Sequence, residues 1–242
     1  EQKQSVEIFF CALNMIQKLM DCPDVAIYRV NKEKYARLFA YSSAKAASMG
    51  NTVYLPDKKS LDEACNENRV YINRSMEKEY PMMAYNVESE EQMEILIMLW
   101  SLPFERMTIN EANRLIVIGK LIQTSVRRAD RYLEALSEER YHSESQILKA
   151  SAFEELVGAY RKASKEKLTE YVLLQIEVEG ENEKETVDKF TSMLRESDYI
   201  GNLSDGKLYL LLTNTDLKGC SFVQNKLKQN GVASSISEEG RL

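Results

Sequence analysis

The chain has 242 residues, of which 44% are hydrophobic and 29% are charged, a balance typical of folded globular proteins. Its formal net charge of −6 argues against a protein whose partner is a nucleic-acid backbone, because that task needs a broad basic face. The sequence has one histidine, His142, and four scattered cysteines, so it offers no histidine-rich metal site and no Cys-x-x-Cys pair. We therefore expect neither a metal centre nor a nucleophilic hydrolase.

The first half of the chain predicts two helices and a set of strands that end in a very long helix. Apolar residues at helical spacing, β-branched runs and polar breaks define the elements. In chain order they are a helix at 4–20, a hairpin in "DVAIYRV" and "YARLFAYSS", a short helix at 60–69 capped by Ser60, strands in "VYINR", "MMAYNV" and "MEILIMLW", and a helix from about 108 to 135. Thr108 and Glu111 have the spacing of a capping box at the start of the last helix.

This order of elements resembles the GAF family of small-molecule-binding and signalling domains over roughly residues 5–135. The segments "LDEACNENRVYINR" and "FERMTINEANRLIVIGKLIQTSV" carry the likeness. The resemblance implies an antiparallel sheet with flanking helices, and it implies no particular ligand, because GAF domains bind many molecules or none.

The second half predicts alternating helices and strands after a polar stretch, "LSEERYHSESQILKA", that is typical of a domain boundary. We expect a linker at 139–149 between a first domain at 1–138 and a second at 150–242. The predicted elements are helices in "SAFEELVGAYRKASKEK", "EKETVDKFTSMLRES" and "LKGCSFVQNKLKQNG", strands in "EYVLLQIEVEG" and "VASSIS", and a hairpin of "DYIGNL" and "KLYLLLTN". The alternation predicts an α/β sandwich with a mostly antiparallel sheet, so the whole chain is expected to be of the α+β class, with two domains joined by the long helix.

The stretch "RESDYIGNLSDGKLYLLL" resembles the signature region of GGDEF domains, the fold of diguanylate cyclases, with the catalytic residues replaced. Five residues separate Asp198 from Ser204, where the Gly-Gly of the signature would begin. Gln175 stands where the strand should provide a metal-binding aspartate, and Lys207 stands at the glutamate of the signature. Neither an amide nor an ammonium replaces a carboxylate that holds magnesium. We therefore expect no catalytic residues, no metal and no cofactor, and we expect that the protein is not an enzyme.

Arg195 and Asp198 keep the Arg-x-x-Asp spacing that in GGDEF proteins forms the inhibitory site for cyclic di-GMP. An arginine fork can donate two hydrogen bonds to the O6 and N7 edge of guanine, and a carboxylate can accept from N1 and N2. Lys228, and Lys226 beside it, could provide a further cation for the doubly anionic dinucleotide. The alternative from the residues alone is an exposed ion pair between Arg195 and Asp198.

A GAF domain followed by a degenerate GGDEF domain with Arg-x-x-Asp resembles the cytosolic region of the PelD family of cyclic di-GMP receptors. That resemblance implies regulation of Pel-type exopolysaccharide synthesis and export in biofilms, with the Pel membrane proteins and glycosyltransferase as partners. It implies a location at the cytoplasmic face of the inner membrane, with transmembrane segments expected upstream. Two alternatives stay open: a structural module that forms a homodimer through the long helix and binds no nucleotide, and a residual diguanylate cyclase.

Overall fold

The fold is that of a computed structural model, which describes residues 5–87, 94–143, 145–177, 194–195 and 197–237. The chain divides into two compact units, Glu1–Arg131 and Tyr132–Leu242. Each unit has its own antiparallel sheet with helices, so the predicted α+β class is confirmed. Within the described ranges, no helix is both long enough and apolar enough to cross a bilayer.

The first unit is built on a six-stranded sheet in the order β3-β2-β1-β6-β5-β4, with every neighbouring pair antiparallel. Its strands are β1 Val25–Val30, β2 Tyr35–Tyr41, β3 Thr52–Tyr54, β4 Tyr71–Ile72, β5 Met83–Val87 and β6 Glu94–Leu99. Its helices are α1 Ser5–Leu19, α2 Lys59–Asn66 and α3 Ile109–Ala135, with single 3₁₀ turns at Leu55–Asp57 and Phe104–Arg106.

Helix α1 packs on the sheet through aromatic side chains, because its apolar residues recur on one face. Phe9 and Phe10 are buried and contact Phe39 of β2, with ring centroids 4.7 and 5.5 Å apart. Helix α3 approaches the same sheet closely at Gly119, where an added Cβ would lie 2.7 Å from a methyl group of Val87. Helix α1 therefore packs on the sheet through aromatic rings, and helix α3 approaches the sheet closely where Gly119 has no side chain.

The predicted capping of α3 forms only in part, and the predicted cap of α2 does not form. Thr108 does cap α3, since its hydroxyl accepts from the backbone N–H of Glu111 at 3.3 Å, but the Glu111 carboxylate binds Arg106 and Arg114 instead of closing a capping box. The predicted cap at Ser60 is wrong. The helix begins at Lys59 because the 3₁₀ turn at Leu55–Asp57 leads directly into it.

The second unit has a four-stranded antiparallel sheet in the order β10-β7-β9-β8. Its strands are β7 Tyr171–Glu177, β8 Tyr199–Asn202, β9 Leu208–Thr213 and β10 Ala233–Ile236, and its helices beyond the end of α3 are α4 Ser137–Arg140, α5 Ala150–Lys165 and α6 Leu217–Gln229. The hairpin, the last helix and the last strand lie where the sequence predicts them. The predicted helix "EKETVDKFTSMLRES" lies almost entirely outside the described residues.

Part of the stretch predicted as a linker makes backbone contacts with the second sheet. Leu148 donates from its N–H to the carbonyl of Ile200 at 2.9 Å, and its own carbonyl accepts from the N–H of Asn202 at 3.0 Å. Tyr141 and Leu148 also pair as an isolated antiparallel bridge. Residues near 148 thus extend the β8 edge of the sheet, which leaves that edge covered.

Candidate functional site

The Arg-x-x-Asp residues form a turn that enters strand β8. The N–H of Asp198 donates to the carbonyl of Arg195 at 3.0 Å, and the N–H of Arg195 approaches the Asp198 carboxylate at 3.4 Å. The other carboxylate oxygen of Asp198 accepts from the N–H of Thr213 at 3.1 Å, and the Thr213 hydroxyl donates to Ser197 at 3.0 Å. These bonds tie the turn to the last residue of β9, so the positions of both site residues are set by the sheet.

A cavity of about 200 Å³ lies between this turn and helix α6. Arg195 and Asp198 line it on one side. The helix lines it with Phe222, Lys226 and two apolar residues that reach the core. The full lining is Leu194, Arg195, Asp198, Phe222, Val223, Lys226 and Leu227. The cavity therefore combines two cations, one carboxylate and an aromatic ring.

The Arg195 side chain is exposed and, among the described residues, forms no ion pair. In particular, no salt bridge joins its guanidinium to Asp198, so the simple surface pair that the spacing also allows is not formed. The carboxylate instead serves the backbone of the turn. An exposed guanidinium has five N–H donors in a planar fork that it can offer to a ligand.

Lys226, and not Lys228, provides the lysine that lines the cavity. Both are in the last turns of α6, but two positions rotate a side chain by about 200° around a helix. The residue expected from the sequence is Lys228, with Lys226 beside it as a further cation. The cavity favours Lys226, and a ligand contact by Lys228 stays a prediction.

Phe222 lines the cavity but was not predicted from the sequence as a site residue. Its side chain is 68% exposed although Cys220 and Leu227 of the same helix are buried. In the sequence it looks like one more apolar residue of an amphipathic helix. Phe222 lies four residues before Lys226, and residues i and i+4 share a helix face. This spacing could have predicted that the two side chains line the same surface.

Gln175 and Lys207, which the GGDEF resemblance matches to cyclase metal ligands, bring an amide and an ammonium together. Lys207 Nζ lies 3.4 Å from Gln175 Oε1, and the Gln175 amide lies 3.4 Å from Glu177. A lysine charge thus lies next to the strand position that would hold a divalent cation. Within the described part of the chain, no group of three or more His, Cys, Asp or Glu side chains is arranged to hold a metal.

The residues that replace the glycines of the signature stabilise the hairpin itself. The Asp205 carboxylate accepts from the N–H of Lys207 at 3.0 Å and from the Tyr209 hydroxyl at 2.8 Å. These two hydrogen bonds hold the pKa of Asp205 below its ordinary value. Gly206 closes the turn with a φ of +76°, a conformation that few other residues adopt. The hairpin therefore has a structural role with side chains of its own.

No protein-family model matches the chain, and a search of curated proteins finds no match. Among solved structures the chain is similar to PelD 156–455 from Pseudomonas aeruginosa PA14 in complex with c-di-GMP, with 13% identity and a TM-score of 0.42 over 98% of this chain and 84% of that one. It is also similar to PelD 158-CT from Pseudomonas aeruginosa PAO1, with 13% identity and a TM-score of 0.38 over 96% of this chain and 83% of that one. The apo form of PelD 156–455 has a TM-score of 0.39 at the same identity, over 94% of this chain and 79% of that one.

Proposed function

We propose that the protein is a receptor for cyclic di-GMP and that the second unit binds the dinucleotide in the cavity between the Arg195–Asp198 turn and helix α6. The observation that carries this proposal is the convergence of Arg195, Asp198 and Lys226 beside the exposed ring of Phe222. The two residues of the sequence motif are thus placed in a cavity with a further cation and an aromatic surface.

Each side chain of the cavity has a role that suits a guanine dinucleotide. The Arg195 fork donates to guanine O6 and N7, which is how arginine reads guanine in DNA. Asp198 offers a carboxylate to guanine N1 and N2, which are the hydrogen-bond donors on that edge of the base. Lys226 offers its ammonium to a phosphate, and Phe222 offers a face on which a base can stack.

We propose that the unit binds this ligand without catalysing its synthesis. Attack of a ribose hydroxyl on a triphosphate requires divalent cations on oxygen ligands. The 3.4 Å approach of Lys207 to Gln175 puts a positive charge where such a cation would be held. Repulsion between that ammonium and a metal ion supports a receptor over a residual cyclase.

We further propose that the bound dinucleotide regulates synthesis and export of a Pel-type exopolysaccharide at the cytoplasmic face of the inner membrane. The support is the sequence resemblance to the PelD family, in which a GAF domain precedes a degenerate GGDEF domain. On this proposal the Pel membrane proteins and glycosyltransferase sense which conformation the receptor adopts. The ligand shifts that equilibrium only through its different affinities for the two conformations.

A structural module that dimerises through α3 is the second candidate, and one observation favours it. Val117 and Leu121 are 58% and 59% exposed and lie four residues apart on this helix, so they form an apolar strip on its surface. A dimer through this strip is compatible with a receptor. A module with no other role would bind no nucleotide, so calorimetry separates the two candidates.

Isothermal titration of cyclic di-GMP into the chain tests the receptor proposal. We expect heat of binding for the wild type and an affinity lowered by about tenfold or more in Arg195→Ala, because a charged hydrogen-bonding partner is lost. Lys226→Ala should weaken binding, and Lys218→Ala, which changes an exposed lysine of the same helix that does not line the cavity, serves as its matched control. An unchanged affinity in Arg195→Ala would remove the proposed site, and equal effects of the two lysine variants would remove the role of Lys226.

A further inference from the structure

Two arginines face each other across neighbouring strands of the first unit. Arg29 of β1 is paired with Arg37 of β2 in the antiparallel register, so their side chains leave the same face of the sheet side by side. Both side chains are half-buried. Like charges directly opposite one another destabilise a strand pair, and partial burial strengthens the repulsion because water screens it less.

No carboxylate of the described residues neutralises this pair. Among the residues that the structure describes, neither guanidinium forms a salt bridge, and Nε of Arg29 and Nη1 of Arg37 are buried with no hydrogen-bond partner. Arg29 lies 5.6 Å from the ring centroids of Phe9 and Phe39, a cation–π contact that supports its charge but takes up none of its N–H donors. The two groups together therefore present donors that a protein normally satisfies.

A pair of tyrosines extends this arginine pair toward the edge of the sheet. Tyr35 is two residues before Arg37 on β2, and it is paired with Tyr54 of the edge strand β3. Because side chains alternate along a strand, both rings lie on the face that holds the arginines. Their centroids are 4.9 Å apart and the side chains are 37% and 40% exposed. The site is thus open to solvent at its tyrosine end.

We propose that Arg29 and Arg37 form an oxyanion-binding site in the first unit, for a ligand that carries a phosphate or carboxylate group. Two guanidinium groups from paired positions on neighbouring strands match the several oxygens of such a group, and one anion bound to both would offset the repulsion and accept from their donors. This site is separate from the cavity at Arg195, and it does not depend on the proposed function of that cavity.

Thermal unfolding of the full chain in inorganic phosphate tests the proposal. Trp100 is the only tryptophan and is buried in the first unit, so its fluorescence follows the unit that contains the proposed site. Phosphate replaces chloride at constant ionic strength, and a parallel series uses acetate to separate the two ligand chemistries. We expect a saturable rise of the unfolding midpoint, since a ligand that binds only the folded state stabilises it.

Variants locate the effect. Arg37→Gln should weaken oxyanion binding, so the half-saturating concentration should rise by about tenfold or more. In chloride its unfolding midpoint should be no lower than that of the wild type, because the repulsion between the arginines is relieved. Arg37→Lys, which keeps the charge but loses the fork, should also weaken oxyanion binding and covers the case in which the glutamine variant does not fold. Arg128→Gln, on the exposed part of α3, is the matched control, and Arg195→Ala excludes the cavity of the second unit. The proposal would be overturned if neither anion raises the unfolding midpoint of the wild type, or if both Arg37 variants show the same rise as the wild type.

Discussion

Phe222 shows how a single residue can be placed against the usual preference for burial. A large apolar side chain on an amphipathic helix normally turns toward the core, yet this one is 68% exposed and borders a cavity lined by two cations. The α6 residues Cys220 and Leu227 reach the core, whereas Phe222 lines the cavity. A ring in this position suits the stacking of a base, which is tolerant of sequence and needs an open face.

Replacement of Phe222 by alanine is expected to weaken cyclic di-GMP binding and leave stability almost unchanged. Loss of base stacking costs about 1–3 kcal/mol, so the dissociation constant should rise by roughly fivefold to a hundredfold. Titration calorimetry gives the affinity, and circular dichroism gives the stability. Leu217→Ala is the matched control, because Leu217 is 64% exposed on the same helix and does not line the cavity. Equal affinities for the two variants would exclude a stacking role.

Strand β8 joins the site turn to the sheet, and its fit against helix α5 depends on a glycine. A Cβ at Gly201 would lie 2.5 Å from the ring of Phe153, which is fully buried. The missing side chain lets the strand and helix approach, and that approach fixes the strand that begins at the Arg195–Asp198 turn. Packing between elements and the geometry of the site are therefore linked through one position.

Gly201→Ala is expected to destabilise the protein by about 1–3 kcal/mol, because the ring of Phe153 or the strand must move to accept the methyl group. Gly158→Ala provides the comparison, since Gly158 is an exposed position of α5 where an added Cβ meets nothing within 4 Å. That change should stabilise the helix by about 1 kcal/mol. Urea unfolding followed by circular dichroism measures both. A Gly201→Ala variant as stable as the wild type would show that the contact is not tight.

Local pattern determined most of the elements that could be read from the sequence. Alternation and turn residues located the hairpins at β1–β2 and β8–β9, and helical spacing located α1 and α3. Details that depend on tertiary contacts could not be predicted from the sequence. The start of α2 follows from the 3₁₀ turn before it, and the exposure of Phe222 follows from which face of α6 reaches the core.

At the scale of the molecule, two units carry different kinds of candidate site. The second unit places Arg195, Asp198, Phe222 and Lys226 around one cavity, which we propose as the site for a guanine dinucleotide. The resemblance to the GGDEF signature implies a ligand role for Arg195 and Asp198, while the lysine and the ring that line the cavity with them depend on the path of α6. The first unit offers the arginine pair on its sheet. We propose that the second unit recognises guanine through the guanidinium of Arg195.

A comparison of cyclic di-GMP with cyclic di-AMP by titration calorimetry tests that claim most directly. The two ligands share the charged ribose-phosphate ring and differ in the base edge. Guanine presents two acceptors, O6 and N7, to an arginine fork, whereas adenine presents one acceptor and an amino group. We expect cyclic di-GMP to bind and cyclic di-AMP to bind at least about fivefold more weakly, since one mismatched base edge costs about 1–3 kcal/mol. Absence of binding by cyclic di-GMP, or equal affinity for both dinucleotides, would contradict it.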